Sequence, residues 1–146
     1  MYIRELRVRY RFRRLHGSLA SAEPLRSPAA SARLLNRILG HEVVEVCGLL
    51  CLSTRHDLLA YHELSRGTLD SALIRPREVL RIALLGHASA VIVGHNHPSG
   101  DPTPSPDDIA VTQRLVRAGD LVGINVIDHV IVTGDGYVSL GQSGLL

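Results

Sequence analysis

Three side chains in the stretch Gly94 to Asp108 have the types and spacing to hold a divalent metal ion. The stretch reads Gly-His-Asn-His-Pro-Ser-Gly-Asp-Pro-Thr-Pro-Ser-Pro-Asp-Asp, and the three are His95, His97 and Asp108. In extended backbone, residues two apart project to the same side, about 6–7 Å apart. Two imidazoles placed so converge on one ion, while Asn96 points away. The glycine and prolines beyond His97 let the loop fold back and carry Asp108 toward the histidines. A hydrolytic zinc site uses three protein ligands and leaves a fourth position to water. Ser105 lies three residues before Asp108, so one helical turn puts both on the same side. Taken singly, a His-x-His pair is compatible with packing, and Ser105-x-x-Asp108 with a capping-box helix start. Together they follow an apolar run directly, in a loop too rich in Gly and Pro to be packing filler. Spacing alone leaves the metal and the structural readings both open.

The elements that must position these residues are legible in order. Residues 6–13 alternate, with Leu6, Val8, Tyr10 and Phe12 on one side and Arg7, Arg9, Arg11 and Arg13 on the other. Period two predicts a half-buried strand. Residues 16–27 read as a loop. Ser27 is an N-cap and Pro28 a first helical residue, so a helix is expected over Ala29–Leu39, stopped by Gly40. Val43–Leu52 reads as a central strand covered on both faces. Glu45 breaks that apolar run. A carboxylate there is costly unless it is paired or near a cation; otherwise it lies near the strand end and turns to solvent. A turn at Ser53–Asp57 leads to a hairpin partner, Leu58–Leu64, ended by Gly67. Arg75-Pro76 starts a helix to about Leu85, largely buried through Val79, Leu80, Ile82, Ala83 and Leu84, and Gly86 closes it. Ala90–Gly94 is a short strand feeding the histidines. Ser105 caps the next helix, with Pro106 first and acids in its opening turn, where the helix dipole favours them. That helix runs to about Ala118 and is terminated by Gly119. Ile124–Thr133 is a strand containing Asp128-His129. Gly134-Asp135-Gly136 turns into a last strand, Tyr137–Leu140. No repeat or linker divides the chain. The expectation is an α/β fold in one domain over 1–146, a mixed sheet flanked by helices, with a basic N-terminal strand and loop over 1–26 and a core over 27–146.

Composition bounds the rest. A chain of 146 residues is long enough for one substantial core. With no Trp and one Phe, that core must be aliphatic. No apolar run approaches the roughly 20 residues of a membrane span, and the N-terminus lacks a signal-peptide apolar segment, so a cytoplasmic location without membrane association is expected. Cys47 and Cys51 share one predicted strand, about 13 Å apart. That is too far for a disulfide, and buried reduced thiols are expected. All 16 basic residues are Arg, and six of them fall in residues 1–14 against Glu5 alone, a local net of +5 (6 − 1). The remaining ten face thirteen acids, a net of −3 (10 − 13). The arginine row of the first strand suits edge protection, phosphates or an acidic protein partner. Edge protection is favoured, because no aromatic platform accompanies the arginines.

The constellation resembles a known family. His95-x-His97, seven residues, then Ser105-x-x-Asp108, with an upstream Glu, is similar to the JAMM signature of the JAB/MPN metalloprotease superfamily. His95-Asn96-His97-Pro98-Ser99-Gly100, Pro104-Ser105 and Asp128-His129 resemble its RadC branch, as does the spacing of Gly67-Thr68 and Arg75-Pro76-Arg77-Glu78. The similarity runs from about residue 43 to the C-terminus, and more loosely to the N-terminal run. The resemblance implies an MPN (cytidine-deaminase-like) fold and one zinc ion held by His95, His97 and Asp108. It implies Glu45 as general base, within Glu45-Val46-Cys47-Gly48, in preference to Glu42, which faces the other way on a strand. It implies Ser105 as a hydrogen-bond donor to the oxyanion. The activity implied is that of a zinc metallopeptidase on a peptide or protein substrate. Ubiquitin-like conjugates are a class on which JAMM enzymes often act. Two other readings follow from the same residues. One is a non-catalytic MPN-fold interaction module or nucleic-acid-associated protein using the N-terminal Arg face; the other, weaker, is a metal-dependent nuclease. Full-length RadC proteins carry an N-terminal helix-hairpin-helix module; here the basic run takes that place, which weakens the expectation of DNA association. For Asp128-His129, support of the site and stabilisation of the strand remain equal alternatives. The other five histidines (16, 41, 56, 62 and 87) are isolated and read as surface or packing residues.

Overall fold

A computed structural model describes residues 1–13, 15, 23–67 and 74–146. Most of the loop expected over 16–27, together with Arg14, His16 and Thr68, lies outside the described residues. The elements are α1 (Pro28–Leu39), β1 (Val46–Leu52), β2 (Leu58–Arg66), α2 (Pro76–Leu85), β3 (Ala90–Asn96), α3 (Pro106–Val122), β4 (Asn125–Val132) and β5 (Tyr137–Ser139). The five strands form one mixed sheet in the order β2-β1-β3-β4-β5. β3 and β4 are parallel, joined through α3, and the other neighbours are antiparallel. This is the expected α/β arrangement, and it is consistent with an MPN-like fold.

The central strands are buried along their whole length because both faces are covered. On one face Leu34, Leu35 and Leu39 of α1 pack on Val46, Leu50, Ile92, Val130 and Val132. On the other, Val79, Leu80 and Ala83 of α2 and Val111 and Leu115 of α3 pack on Cys47, Leu49, Cys51, Val91 and Val93. Alternation along β3 assigns its last residues in turn: His95 follows Val91 and Val93 to the α2/α3 face, and Asn96 faces α1. Both cysteines are buried and unpaired, as expected. No helix of the described residues is long and apolar enough to cross a membrane.

Four expectations need correction. Residues 1–13 form no strand and are exposed. Period two supplies a pattern but not a ladder partner, and a strand needs both; Leu6 and Phe12 stay in solvent. β1 begins at Val46, not Val43, because Val43 and Val44 are exposed and outside the ladder. α2 buries one side only, and Leu84 is exposed. α3 does not stop at Gly119 but runs on to Val122. Gly119 is buried inside the helix, and a Cβ there would collide with the Ile124 carbonyl oxygen, so its role is close packing. Gly123, at φ 76°, makes the left-handed helix stop.

Candidate metal centre

The site forms where β3 ends and α3 begins. β3 is hydrogen-bonded on both sides, with His95 opposite Cys47 of β1 and Ile131 of β4. One residue past the strand, the His97 backbone N–H still donates to the Val132 carbonyl, 2.9 Å. This keeps the chain extended across both histidines, so their rings project to one side. The two Nε2 atoms lie 2.9 Å apart. α3 enters from the loop through a capping box. Ser105 Oγ accepts from the Asp108 N–H at 3.1 Å, and Asp108 Oδ2 accepts from the Ser105 N–H at 2.8 Å. The cap fixes the Asp108 carboxylate at the first turn, facing the histidines. Asp108 Oδ1 is 3.6 Å from His95 Nε2, and Oδ2 is 4.0 Å from His97 Nε2.

Among the described residues, His95, His97 and Asp108 are the one group of ligand side chains with all donor atoms within 4.8 Å of one another. Their separations of 2.9, 3.6 and 4.0 Å bracket the roughly 3.3 Å edge of a tetrahedron with bonds of about 2.05 Å. The donor chemistry also fits a cation. His97 Nδ1 is 2.7 Å from the Asp101 carbonyl oxygen, which only accepts, so the ring hydrogen lies on Nδ1 and the Nε2 lone pair faces the centre. Two nitrogens and a carboxylate oxygen meet there, a donor set suited to a borderline divalent ion such as zinc.

Glu45 immediately precedes β1 and is half-buried. With His97, Ser105, Asp107 and Asp108 it lines a cavity of about 390 Å³. Its backbone carbonyl accepts from Gly67 at 2.9 Å. Its carboxylate accepts no hydrogen bond from a described residue. Glu45 therefore stands at the strand's end, as one of the two alternatives had it, and lines the same cavity as His97 and Asp108. The Ser105 hydroxyl donates to Asp108 Oδ2 at 2.7 Å, so in this state its proton is committed to the carboxylate. Asp128 and His129 separate in role. The Asp128 carboxylate accepts from the Ser139 hydroxyl at 2.6 Å and from the Gly141 and His129 backbone N–H groups at 2.9 and 2.8 Å, which ties β4 to the C-terminal turn. His129 instead contacts a candidate ligand: its Nε2 is 2.8 Å from His95 Nδ1, and its Nδ1 is 2.6 Å from Thr112 Oγ1.

Burial, reinforced by His97, pushes the His129 pKa down to about 3. Burial also holds the His95 pKa well below its usual value, with His129 and His97 adding to the depression and Asp108 opposing it. Both rings are neutral, as metal ligation and its support require. The Cys47 thiol, opposite His95, is pushed upward by burial and by the Asp108 charge, so it is inert.

Two residues bonded to the surroundings of the cluster escaped the sequence pattern. Thr112 was one helical residue among many. Asn96 was seen only as pointing away from the ion. Its amide reaches three backbone groups of the segment that carries Glu45: Oδ1 accepts from Val46 N–H at 2.7 Å, and Nδ2 donates to the Val44 and Glu42 carbonyls at 2.9 and 3.2 Å. A residue between two predicted ligands, with a side chain able both to donate and to accept, was the available signal.

An α/β domain with a two-histidine, one-carboxylate cluster at the start of a capped helix defines a class of candidate metal-dependent proteins. Comparison narrows it: the chain belongs to the RadC-like JAB domain family, whose model matches residues 25–145. It is 48% identical over 133 residues to a UPF0758 protein of Xanthomonas campestris pv. campestris, covering 90% of this chain and 59% of that protein. It is 47% identical over 128 residues to a UPF0758 protein of Marinobacter nauticus, covering 88% and 57%. With a UPF0758 protein of Symbiobacterium thermophilum the identity is 42% over 135 residues, covering 89% and 58%. The chain thus spans less than two-thirds of the length of these relatives.

Proposed function

We propose that this chain is a zinc-dependent hydrolase of the JAMM type that cleaves a peptide or isopeptide bond, with one zinc ion on His95, His97 and Asp108. The observation that carries the reading is the shared cavity, lined both by Glu45, whose carboxylate accepts no hydrogen bond from a described residue, and by His97 and Asp108 of the cluster. A divalent ion bound there supplies Lewis acidity and lowers the pKa of a bound water from its bulk value toward about 7. Glu45 accepts a proton from the attacking water and returns it to the leaving amine, a role that requires a carboxylate not already bonded. Ser105 donates to the carbonyl oxygen as charge develops on it, for which its hydroxyl must turn from Asp108 Oδ2. Asp101 and Asp107 also line the cavity. These carboxylates oppose a phosphodiester and favour an amide substrate, which ranks peptidase above nuclease.

The test is metal analysis of protein purified without chelator, followed by peptide, isopeptide and DNA substrates with Glu45→Gln as control. One zinc per chain and amide cleavage that Glu45→Gln abolishes are expected. Cleavage of DNA alone, or undiminished turnover by Glu45→Gln, overturns the assignment.

A second reading has one observation of its own. Residues 1–13 are exposed and present five arginines to solvent. As an interaction module, this segment would bind an acidic partner or nucleic acid in a salt-sensitive way. Neutralising Arg7, Arg9 and Arg11 would abolish that binding and leave zinc and hydrolysis untouched.

A further inference from the structure

We infer that Thr112 and His129 are positioning residues that fix the tautomer of His95, so that its bare Nε2 faces the metal position. This rests on the metal-site reading above and extends it to two residues that touch neither ion nor substrate.

A line of short contacts runs through these residues, and it holds a fixed number of hydrogens. The line begins at the Asp108 backbone carbonyl, 2.6 Å from Thr112 Oγ1. It continues from Thr112 Oγ1 to His129 Nδ1 at 2.6 Å, and from His129 Nε2 to His95 Nδ1 at 2.8 Å. It then passes from His95 Nε2 to His97 Nε2 at 2.9 Å, and ends with His97 Nδ1 at 2.7 Å from the Asp101 carbonyl. Both ends are carbonyl oxygens, which only accept. Between them stand one hydroxyl and three imidazoles, each with one hydrogen to give in the neutral form that metal ligation requires. Five contacts therefore share four hydrogens, and one contact must go without.

The place of the gap decides what the line does. If it fell between Thr112 and the Asp108 carbonyl, two oxygens 2.6 Å apart would face each other with no hydrogen between them. If it fell between Thr112 and His129, or between His129 and His95, lone pairs would oppose one another in a buried site with no compensating group. Only at the His95–His97 contact does a carboxylate also face the gap: Asp108 Oδ1, 3.6 Å from His95 Nε2. A cation satisfies all three there. With the gap in that position every direction is set. Thr112 donates to the Asp108 carbonyl, His129 donates from Nδ1 to Thr112, and His95 donates from Nδ1 to His129. Both Nε2 lone pairs are then left for the ion. The line also closes on itself through the protein, because it starts on the backbone of one ligand and passes through another. Position and tautomer of the cluster are thereby coupled.

The test uses the full chain, titrated with zinc against a competing chelator, with nitrogen-resolved NMR of the histidine rings. In the zinc-loaded protein, His95 and His129 are expected to carry hydrogen on Nδ1 and none on Nε2. Thr112→Val keeps the side-chain volume and removes the hydroxyl, freeing His129 to reverse and present a hydrogen to His95. Zinc should then bind about 10–100-fold more weakly. Thr112→Ser should restore both the affinity and the ring signals. His129→Gln, which keeps an acceptor near the old Nε2, should lose less affinity than His129→Leu. Zinc affinity in Thr112→Val within twofold of the parent overturns the inference while leaving the metal site standing. So does a weakening that Thr112→Ser fails to rescue, or that leaves the ring signals unchanged, since that pattern marks a packing role. A parent protein that takes no zinc overturns the metal site and this inference with it.

Discussion

The two sides of the cavity are built to different standards. On the β3–α3 side, the polar atoms around the ligands are buried and partnered: His95 by His129, His129 by Thr112, and Asp108 by the Ser105 cap. On the other side, Glu45 belongs to a short connection between α1 and β1. Val43 and Val44 there are exposed, and the Glu45 carboxylate has no hydrogen-bond partner among the described residues. The difference matches the two tasks proposed for them. A metal ligand set gains affinity from being fixed before the ion arrives. A general base must exchange a proton and reach first the water and then the leaving group, so bonds that would hold it in place would also compete for its lone pairs. The cradle is organised through side chains, whereas the base side is organised through its backbone.

The largest effects should come from removing the cradle's donors. His97→Ala leaves two ligands, and the expected result in metal analysis is loss of stoichiometric zinc and of hydrolysis together. Stripping zinc from the parent with a chelator should lower the unfolding free energy by about 2.7 kcal/mol if free zinc had stood at about 100 times its Kd. The unfolding should stay cooperative, because two layers of aliphatic packing do not depend on the ion. On the opposite side, Glu45→Gln should cost about 10²–10⁴-fold in kcat while zinc content and Tm stay at parental values. If Glu45→Gln also loses zinc, the separation of cradle and base is wrong.

That separation explains what the sequence could and could not disclose. The cluster of His95, His97 and Asp108 was legible because it is written in local spacing: His-x-His on a strand and Ser-x-x-Asp at a helix start each need only neighbours in the chain. α1 was legible through Ser27 and Pro28 for the same reason, and Ser27 Oγ does accept from the Ala30 N–H at 3.2 Å. The failures are long-range. The contact between Thr112 and His129 spans 17 residues and depends on α3 crossing back to lay β4 parallel to β3. The bonds of Asn96 to residues 42–46 span 50 or more positions. Gly119 looked like a helix stop because its real constraint, the Ile124 carbonyl, comes from the chain beyond the helix. The alternating run 6–13 has a strand's pattern, and whether a ladder partner exists is a property of the sheet alone.

Asn96 gives a middle-sized test, because it joins the two sides. Its amide is the clamp between the ligand strand and the connection carrying Glu45. Asn96→Ala removes three hydrogen bonds and leaves the buried Val46 N–H without an acceptor, which should cost about 1–3 kcal/mol in chemical denaturation. The connection would then be held by the Gly67 N–H bond to the Glu45 carbonyl and by the Arg66 bonds to Glu42. A base misplaced by about 1 Å loses on the order of 10²-fold in rate. The expected pattern is therefore a large fall in kcat with zinc affinity close to parental. A parallel fall in zinc affinity would mean that Asn96 serves the cradle instead.

The smallest effect concerns the outer strap of the same connection. Arg66, the last residue of β2, holds the Glu42 carboxylate with two bonds, 2.7 and 3.1 Å, and also binds Glu63 at 2.8 Å. The hydrogen bonds from Arg66 lower the Glu42 pKa below its ordinary value, with the Arg66 and Arg13 charges adding to the effect. A carboxylate whose pKa is depressed on folding stabilises the native state above its unfolded pKa. That contribution is lost as pH falls through the folded value and the carboxylate takes up its proton. Arg66→Met should therefore lower Tm slightly at pH 7 and not at all at pH well below the carboxylate range. The difference should fade at high salt, since the pair is exposed. Because Glu42 lies three residues before Glu45, the variant also asks whether the base needs this strap. An unchanged kcat alongside the lowered Tm would show that the Asn96 amide and the Gly67 N–H bond set the position of the Glu45 backbone without the strap.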